Sequence, residues 1–569
     1  MYTRQAGSNQ RVVTAQGAAH HRVHLIGAHP ILTHFLDRMA FAQIVGSCLG
    51  TAHRGILDHA QTLAVFMQNI ILSPGPLYRI AQWAAPIDPA ALELSAPQKG
   101  SLNDDRVARS LDALVSTRAR TLFFQLAVHN IEQFELDTQR IHHDTTTVTF
   151  HGQYKSSTRR PRITQGHNKD HRPDLKQLVF GLNVTADGAV PISHDVYSGN
   201  RTDDTIHASN VDRLRQILRR TDFVYVADSK LCTRRNLAHI AKYNGKFVTV
   251  LPRTRSEDKR MRDKLRQGTS VRWRKLLELD NHRRQSDPPD VYYSTADGPR
   301  QTAERYRIIW IRSAQKMQLD AQARQTSLDK AQAELFDLGT RINRGKLRKR
   351  SAIQNKVKDI LAKCKCQHLL DVRIACRVHI KTKRLRRGRP RKDDPVKEVR
   401  TRVYHLEVHT NKDALRAQAR TDGVFSLATN LQPSKAPKKE VLLIYKDQPY
   451  VEKRHALFKT ELEVAPVYLK NPMRAVGLVH AVFLAMTLDA LIERTLRLGM
   501  IRDGLQALPI LPEGRSTKTP TTARLLEIFS DVCWYEFERG GETVTFPIEL
   551  SPLQKQLLRL LDMDPSAYT

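Results

Sequence analysis

Two aspartates stand beside strand-like runs, and a glutamate lies far downstream of both. Asp144 is followed by Thr145-Thr146-Thr147-Val148-Thr149-Phe150, a β-branched run that suits a strand. Asp228 ends Phe223-Val224-Tyr225-Val226-Ala227, an apolar run of the kind found in a strand covered on both faces. Downstream, Tyr445, Gln448, Glu452 and Lys459 follow one another at intervals of three, four and seven residues. Seven residues advance a helix by nearly two turns, so a helix from Val451 to Leu462 would put Glu452 and Lys459 on one face, roughly 10 Å apart. Carboxylates suit Mg²⁺, a hard cation that takes oxygen ligands and keeps water and phosphate oxygens on its other positions. Two such ions about 4 Å apart can activate an attacking water or hydroxyl and stabilise a leaving oxygen. Taken singly, each feature has an ordinary reading. An aspartate at a strand end is usually a turn residue, and a helix with scattered charge is usually a solvated one.

The elements that must position these groups divide the chain into five stretches. Residues 1–140 read as a helical N-terminal region; Leu102, Val107, Leu111 and Leu114 mark one amphipathic helix with Asn103, Asp104 and Asp105 at its start. Residues 141–252 alternate strands with one helix. Leu178 to Val184 and Val190 to Tyr197 form a hairpin around Ala186-Asp187-Gly188-Ala189. A helix from Thr233 to Tyr243 ends at Asn244-Gly245, and Lys246 to Leu251 returns as a strand. This order is the opening of a ribonuclease-H-like mixed sheet, an α/β core in which both aspartates take the metal-carboxylate positions. Residues 253–430 are intensely charged with short strands, a large insertion before the third carboxylate. Residues 431–500 are expected to hold the last core strand, Val441 to Tyr445, and then the helix carrying Glu452. Residues 501–569 read as a helical C-terminal region.

Composition narrows the partner. Lys and Arg number 92 against 58 Asp and Glu, a formal charge of +34, and the pI is about 10.1. Such self-repulsion gives nothing to folding and calls for a polyanion, with nucleic acid first. No apolar segment of secretory type opens the chain, and Val476 to Leu488 is shorter than a membrane span and reads as a buried core helix, so a cytoplasmic protein with no membrane partner is expected. Cys364, Cys366, His368, Cys376 and His379 cluster, but their spacing matches no common zinc pattern and they read as ordinary thiols and histidines.

The ordered set of motifs resembles the insertion-sequence-four superfamily of bacterial DDE transposases, whose signature is tyrosine, two residues, arginine, three residues, glutamate, six residues, lysine. Tyr445, Glu452 and Lys459 match it in type and spacing, and Gln448 stands where the family has arginine. Asp144-Thr-Thr-Thr resembles the first aspartate motif and Val226-Ala227-Asp228-Ser229-Lys230 the second. Tyr197-Ser198-Gly199-Asn200 with Asp203, and Thr429-Asn430, fit the segments between. The resemblance covers roughly residues 100 to 500. It implies that Asp144, Asp228 and Glu452 hold two Mg²⁺ ions, with Mn²⁺ able to substitute. It also implies cleavage at transposon ends and strand transfer into target DNA. Tyr445 and Lys459 inherit phosphate contacts, and Gln448 can donate hydrogen bonds there without adding charge. Double-stranded DNA, both transposon ends and target, and a homodimer on it are the implied partners, in a bacterial, nucleoid-associated setting.

Asp228 and Glu452 are 224 positions apart, and members of the superfamily carry a strand-rich insertion at this point. Tyr306, Ile308 and Trp310 alternate, as do Val372, Ile374 and Cys376, and then Val403 and His405. Between them, Ala314 to Cys364 is a polar helical stretch, either a solvated or DNA-facing excursion or a coiled-coil arm. Arg386, Arg387, Arg389 and Arg391 flank a Gly-Arg-Pro core that resembles an AT-hook for the minor groove, or else form a basic loop on phosphates. Two other function classes share these features: a catalytically inactive, transposase-derived DNA-binding repressor, and a nuclease of the same sheet type without strand transfer. In the N-terminal region, Val12 to His24 and Ile31 to Leu49 are the candidate recognition helices.

Overall fold

The structure, a computed structural model, describes residues 20–50, 56–154, 161–169, 172–280, 288–385, 396–447, 449–461, 469, 471–539 and 542–568. In chain order it begins with β1 (His20–Leu25), then α1 (His29–Arg38), α2 (Phe41–Leu49), α3 (His59–Leu72), α4 (Ile80–Ala84), α5 (Ala96–Gly100), α6 (Asp104–Ala113) and α7 (Ala119–Gln133). Next come β2 (Arg140–Phe150), β3 (Lys176–Thr185), β4 (Pro191–Ser198), α8 (His207–Leu218), β5 (Val224–Ala227), α9 (Arg234–Lys242) and β6 (Lys246–Val250). The middle of the chain holds α10 (Ser256–Arg266), β7 (Arg274–Leu279), β8 (Asp290–Thr295), β9 (Arg307–Ser313), α11 (Ala314–Arg341), α12 (Arg350–Lys363), β10 (Leu370–Arg384), β11 (Val396–Thr410), α13 (Lys412–Ala419) and β12 (Val424–Thr429). The last part contains α14 (Lys438–Lys446), α15 (Pro449–Ala456), α16 (Pro472–Arg502), α17 (Thr522–Glu527), β13 (Cys533–Arg539), β14 (Glu542–Phe546) and α18 (Pro552–Leu560). Two compact units share these elements, residues 1–248 with 443–569, and residues 249–442.

In the first unit the strands lie in the order β4-β3-β2-β5-β6. β2, β3 and β4 are antiparallel neighbours, and β2 pairs with β5 in parallel. The hairpin turn is where the sequence put it. Gly188 and Ala189 adopt φ of 83° and 52°, the left-handed conformation that a tight connection requires. Asn103 caps α6 as expected, accepting a hydrogen bond from the Arg106 N–H at 2.9 Å; Thr233, read as the first residue of its helix, is the N-cap of α9, its hydroxyl accepting from Asn236 N–H at 3.2 Å.

The mast of this unit is α16. It is 31 residues long, and 89% of its most apolar stretch is buried inside the chain, the behaviour of a core helix. It packs against α1, α3, α6, α17, α18 and β4. Two glycines let backbones come close. A Cβ on Gly477 would lie 2.2 Å from the Leu111 carbonyl oxygen of α6, and one on Gly499 would lie 2.2 Å from that of Leu560 in α18. The C-terminal region is not wholly helical, since β13 and β14 form a hairpin whose other edge takes up β1. Its sequence signal is the alternation through Trp534 to Arg539 followed by Gly540-Gly541. β1 also corrects the recognition-helix candidate from Val12 to His24, whose described part is strand; residues 12–19 lie outside the described residues. Ile31 to Leu49 is two helices, α1 and α2.

The second unit has an antiparallel sheet, β12-β9-β8-β7. Beside it, α11 and α12 close on the base of the β10–β11 ribbon around Leu328, Leu335, Leu338, Ile353, Val357 and Tyr404. The helical stretch therefore spends Leu328, Leu335 and Leu338 on a small core within the chain, while Leu319 and Phe336 stay exposed. Cys364 and Cys366 are buried in that same cluster, while Cys376 is exposed. Packing thus accounts for two of the clustered thiols.

The expected last core strand fails as well. Val441 to Tyr445 is not a strand but part of α14, and the last strand before it is β12. A short apolar run fits either state. Lys438, Lys439 and Glu440 ahead of it are good helix formers, and the Pro437 carbonyl accepts from Val441 N–H at 3.1 Å.

A buried histidine pair ties β4 to α16, with His194 Nε2 2.6 Å from His480 Nδ1. Burial is the main reason that both are hard to protonate; His194 is pushed well below its usual range, also by the charges of His480 and Arg213, and His480 is lowered to about 4. Folded values below the unfolded value of about 6.5 mean that the unfolded chain binds protons first. Stability present above about pH 6.5 is lost as pH falls toward about 4, at up to about 1.4 kcal/mol per pH unit for each histidine. Denaturant midpoints should decline across that window, and His480→Leu should flatten the decline. An equally steep profile in the variant would contradict this.

Candidate active site

The parallel register of β2 on β5 aligns Arg140 with Val224, Ile141 with Tyr225 and His142 with Val226. Asp144 lies two residues further along β2, and Asp228 follows directly on the end of β5, where it caps a short 3-10 turn. The sequence expected this pair, although Asp144 sits inside its strand, opposite Leu182 of β3, and not at a strand end. Asp144 Oδ1 accepts a hydrogen bond from Thr145 N–H at 2.8 Å, and Asp228 Oδ1 accepts one from Lys230 N–H at 2.9 Å.

Two further groups complete the cluster. Lys169, between β2 and β3, holds its ammonium 3.7 Å from Asp144 Oδ1 and 3.7 Å from Asp203 Oδ2. It donates to the carbonyl and hydroxyl oxygens of Thr145 at 2.5 and 2.8 Å. Asp203 was noticed in the sequence only as part of a matching segment, and Lys169 was missed. No local pattern marks a lysine in a connecting loop. Burial pushes the Asp144 carboxyl above the usual range and the Asp203 charge adds to this, while Lys169 and the Thr145 N–H oppose it. Asp228 is raised for the same first reason, and further by Asp144 and Asp203. Negative charge is thus crowded and costly here, which is the environment a cation relieves.

Tyr445 links the third carboxylate to this pair. Its phenol is pushed up to about 12, first by burial and then by the charges of Asp228, Glu452 and Asp144. Glu452 itself is exposed in the first turn of α15. Three residues on, the buried His455 places Nε2 3.8 Å from Asp144 Oδ2. Burial, with help from Lys169 and Lys459, lowers His455 to about 3 and so keeps it neutral. Sequence reading passed over this histidine. Lys459 lies in a widened π-type turn, Leu457–Glu461, that continues the helix; such turns recur at functional sites. Among the described residues, no three His, Cys, Asp or Glu side chains stand close enough to grip one ion. The carboxylates are nevertheless the oxygen donors that Mg²⁺ prefers, and the Lys169 ammonium already stands as a cation between Asp144 and Asp203. Gln448, Arg386, Arg387, Arg389 and Arg391 lie outside the described residues.

The helix bearing Glu452 is pinned by its neighbour Arg454. Arg454 is 1% exposed. It donates to Asp489 Oδ2 at 2.9 Å and to the Gly188 and Ala189 carbonyls at 3.0 Å each, and lies 3.5 Å from Glu493. Arg454 thus serves as an anchor that ties α15 to α16 and to the β3–β4 turn.

A family profile described as "Domain of unknown function (DUF4277)" matches residues 21–128, the region from β1 through most of α7. No curated protein matches the chain. Among solved structures, the cryo-EM structure of a piggyBac transposase synaptic complex with hairpin DNA aligns with 82% of this chain and 79% of that one, at 9% identity and a TM-score of 0.24. At that score the alignment does not establish a common fold.

Removing the anchor tests the positioning of α15. Arg454→Met leaves Asp489 buried without this partner and should cost about 3–5 kcal/mol in denaturant unfolding. Adding Asp489→Asn should recover part of the loss. A neutral Arg454→Met would show that the helix is held by other contacts.

Proposed function

We propose that this chain is a DNA transposase of the DDE type, cutting at the ends of a mobile DNA segment and joining them to target DNA. The observation that carries this reading is the parallel β2–β5 pairing, with Asp144 in β2 and Asp228 directly after β5, where the Asp144 charge raises the Asp228 carboxyl and both, with Glu452, act on Tyr445. The strand order supports it: three antiparallel strands followed by two more on the side of the first is the arrangement of a ribonuclease-H-like sheet. The charge of +34 supports a DNA partner.

In this reading Asp144, Asp228 and Glu452 would hold Mg²⁺, with two ions expected and Mn²⁺ able to replace them. Once bound, the metal supplies Lewis acidity to the attacking oxygen and the leaving oxygen. In the first step water attacks the phosphorus at a transposon end, and the bond from phosphorus to the 3′ oxygen breaks. The freed 3′ hydroxyl then attacks a target phosphodiester, forming a new ester as the target's own 3′ oxygen leaves. Tyr445 stays protonated at neutral pH and can donate to a phosphate oxygen. Lys459 offers a positive charge there, and Gln448 an amide donor. His455, neutral and buried, backs Asp144 without competing for protons. The helical N-terminal region would bind the transposon end, and two copies would pair the two ends.

A cleavage and joining assay tests this, using DNA from the ends of the element that encodes the chain, with Mg²⁺ and with EDTA. Nicking and joined product should require the metal and vanish in Asp144→Ala and Asp228→Ala, with DNA affinity changed by less than about threefold, since the basic surface supplies most of the binding. Lys459→Ala should weaken turnover more gently. Cleavage without joining would favour a nuclease, and tight binding without metal-dependent chemistry a repressor.

A further inference from the structure

The β10–β11 ribbon has two halves with different surroundings. Near its base, Leu370 and Tyr404 are buried and Val372, Ile374, Leu406 and Val408 pack on the α11–α12 core. Further out that support ends. Every residue from Cys376 to Lys383 and from Val396 to Arg402 is exposed, including Val378, Ile380 and Val396 at 56% each. A two-stranded ribbon with no layer behind it is marginal in water, and bare valine and isoleucine on it are a liability unless something covers them.

The charge selects what does. Residues 376–383 and 397–403 contain six Lys and Arg, namely Arg377, Lys381, Lys383, Lys397, Arg400 and Arg402, against the single acid Glu398. The register sorts them, because residues directly opposite share a face. Val378 pairs with Arg402 and Ile380 with Arg400, so one face sets arginine beside aliphatic side chains. Arg377, Lys381, Lys383 and Lys397 stand on the other face, which carries no carboxylate. Glu398 lies on the arginine face, 3.8 Å from the Arg400 guanidinium.

We infer that the outer half of this ribbon is an arm that lies in the major groove of duplex DNA, with the Val378, Ile380, Arg400 and Arg402 face toward the base edges. The major groove is about 12 Å wide and admits a two-stranded ribbon; there arginine matches guanine O6 and N7, and an aliphatic group matches the thymine methyl. The lysine-rich face supplies long cations to the flanking phosphates, which position without reading sequence. A-form RNA has a deep, narrow major groove that excludes such a ribbon, so the arm is specific to DNA. Its role rests on the DNA-directed function proposed above.

The test uses the full chain on a mixed-sequence DNA duplex and an RNA duplex of equal length, with binding measured across a salt series and guanine N7 probed by dimethyl sulfate. Arg377→Gln/Lys381→Gln/Lys383→Gln should lower the slope of log affinity against log salt by roughly 2–3. Arg400→Ala/Arg402→Ala should weaken DNA binding about tenfold or more and uncover guanines that the parent protects. Both sets of positions are exposed, so thermal unfolding should stay at the parent value and exclude misfolding as the cause. The inference is overturned if both variants bind and protect as the parent does. It is equally overturned if slopes fall with N7 protection intact, if RNA binds as well as DNA, or if the variants change only the mass in solution. A parent chain that bound no DNA at all would overturn the proposed function as well.

Discussion

Parallel pairing of β2 with β5 brings Asp144, within its strand, and Asp228, just past its own, close enough for one charge to raise the other's carboxyl, and burial makes that negative charge expensive. Much of the surrounding chemistry answers that cost. The Thr145 and Lys230 N–H groups each donate to one carboxylate, and Lys169 spans from Asp144 to Asp203. Tyr445 and His455 stay uncharged beside the cluster, one protonated and the other not. Among the described residues, Lys169 offsets part of this charge, and the metal proposed above would offset more.

The scaffold carries that arrangement through α16. This buried helix meets the N-terminal helices, the β4 edge of the sheet and the C-terminal α18. The glycines at 477 and 499 allow the closest of those approaches. Arg454 joins α15 to α16 through Asp489 and to the β3–β4 turn through two carbonyls. The helix bearing Glu452 is therefore fixed to the same body that fixes the aspartates.

How much of this was legible depended on whether the signal was local. The hairpin around Gly188 and the helix closed by Asn244-Gly245 follow from short runs of turn residues, whereas Asp144 and Asp228 stand out only as an ordered pair beside strand-like runs. Val441 to Tyr445 was misread because five apolar residues fit a buried helix as well as a strand, and the neighbours decide. Lys169, Asp203 and His455 join the site through the tertiary fold, with no fixed spacing to Asp144. The β13–β14 hairpin was signalled by alternation and Gly540-Gly541 and could have been found. Its pairing with β1, more than 500 residues earlier, could not.

The central claim is that Asp144 and Asp228 form a divalent-cation site. Binding of Mn²⁺ to the full chain, followed by electron paramagnetic resonance, tests it without requiring a DNA substrate. Mn²⁺ should bind the parent and be displaced by Mg²⁺, and binding should be lost in both Asp144→Asn and Asp228→Asn, each folded as judged by thermal unfolding. Undiminished Mn²⁺ binding in both variants would contradict the account.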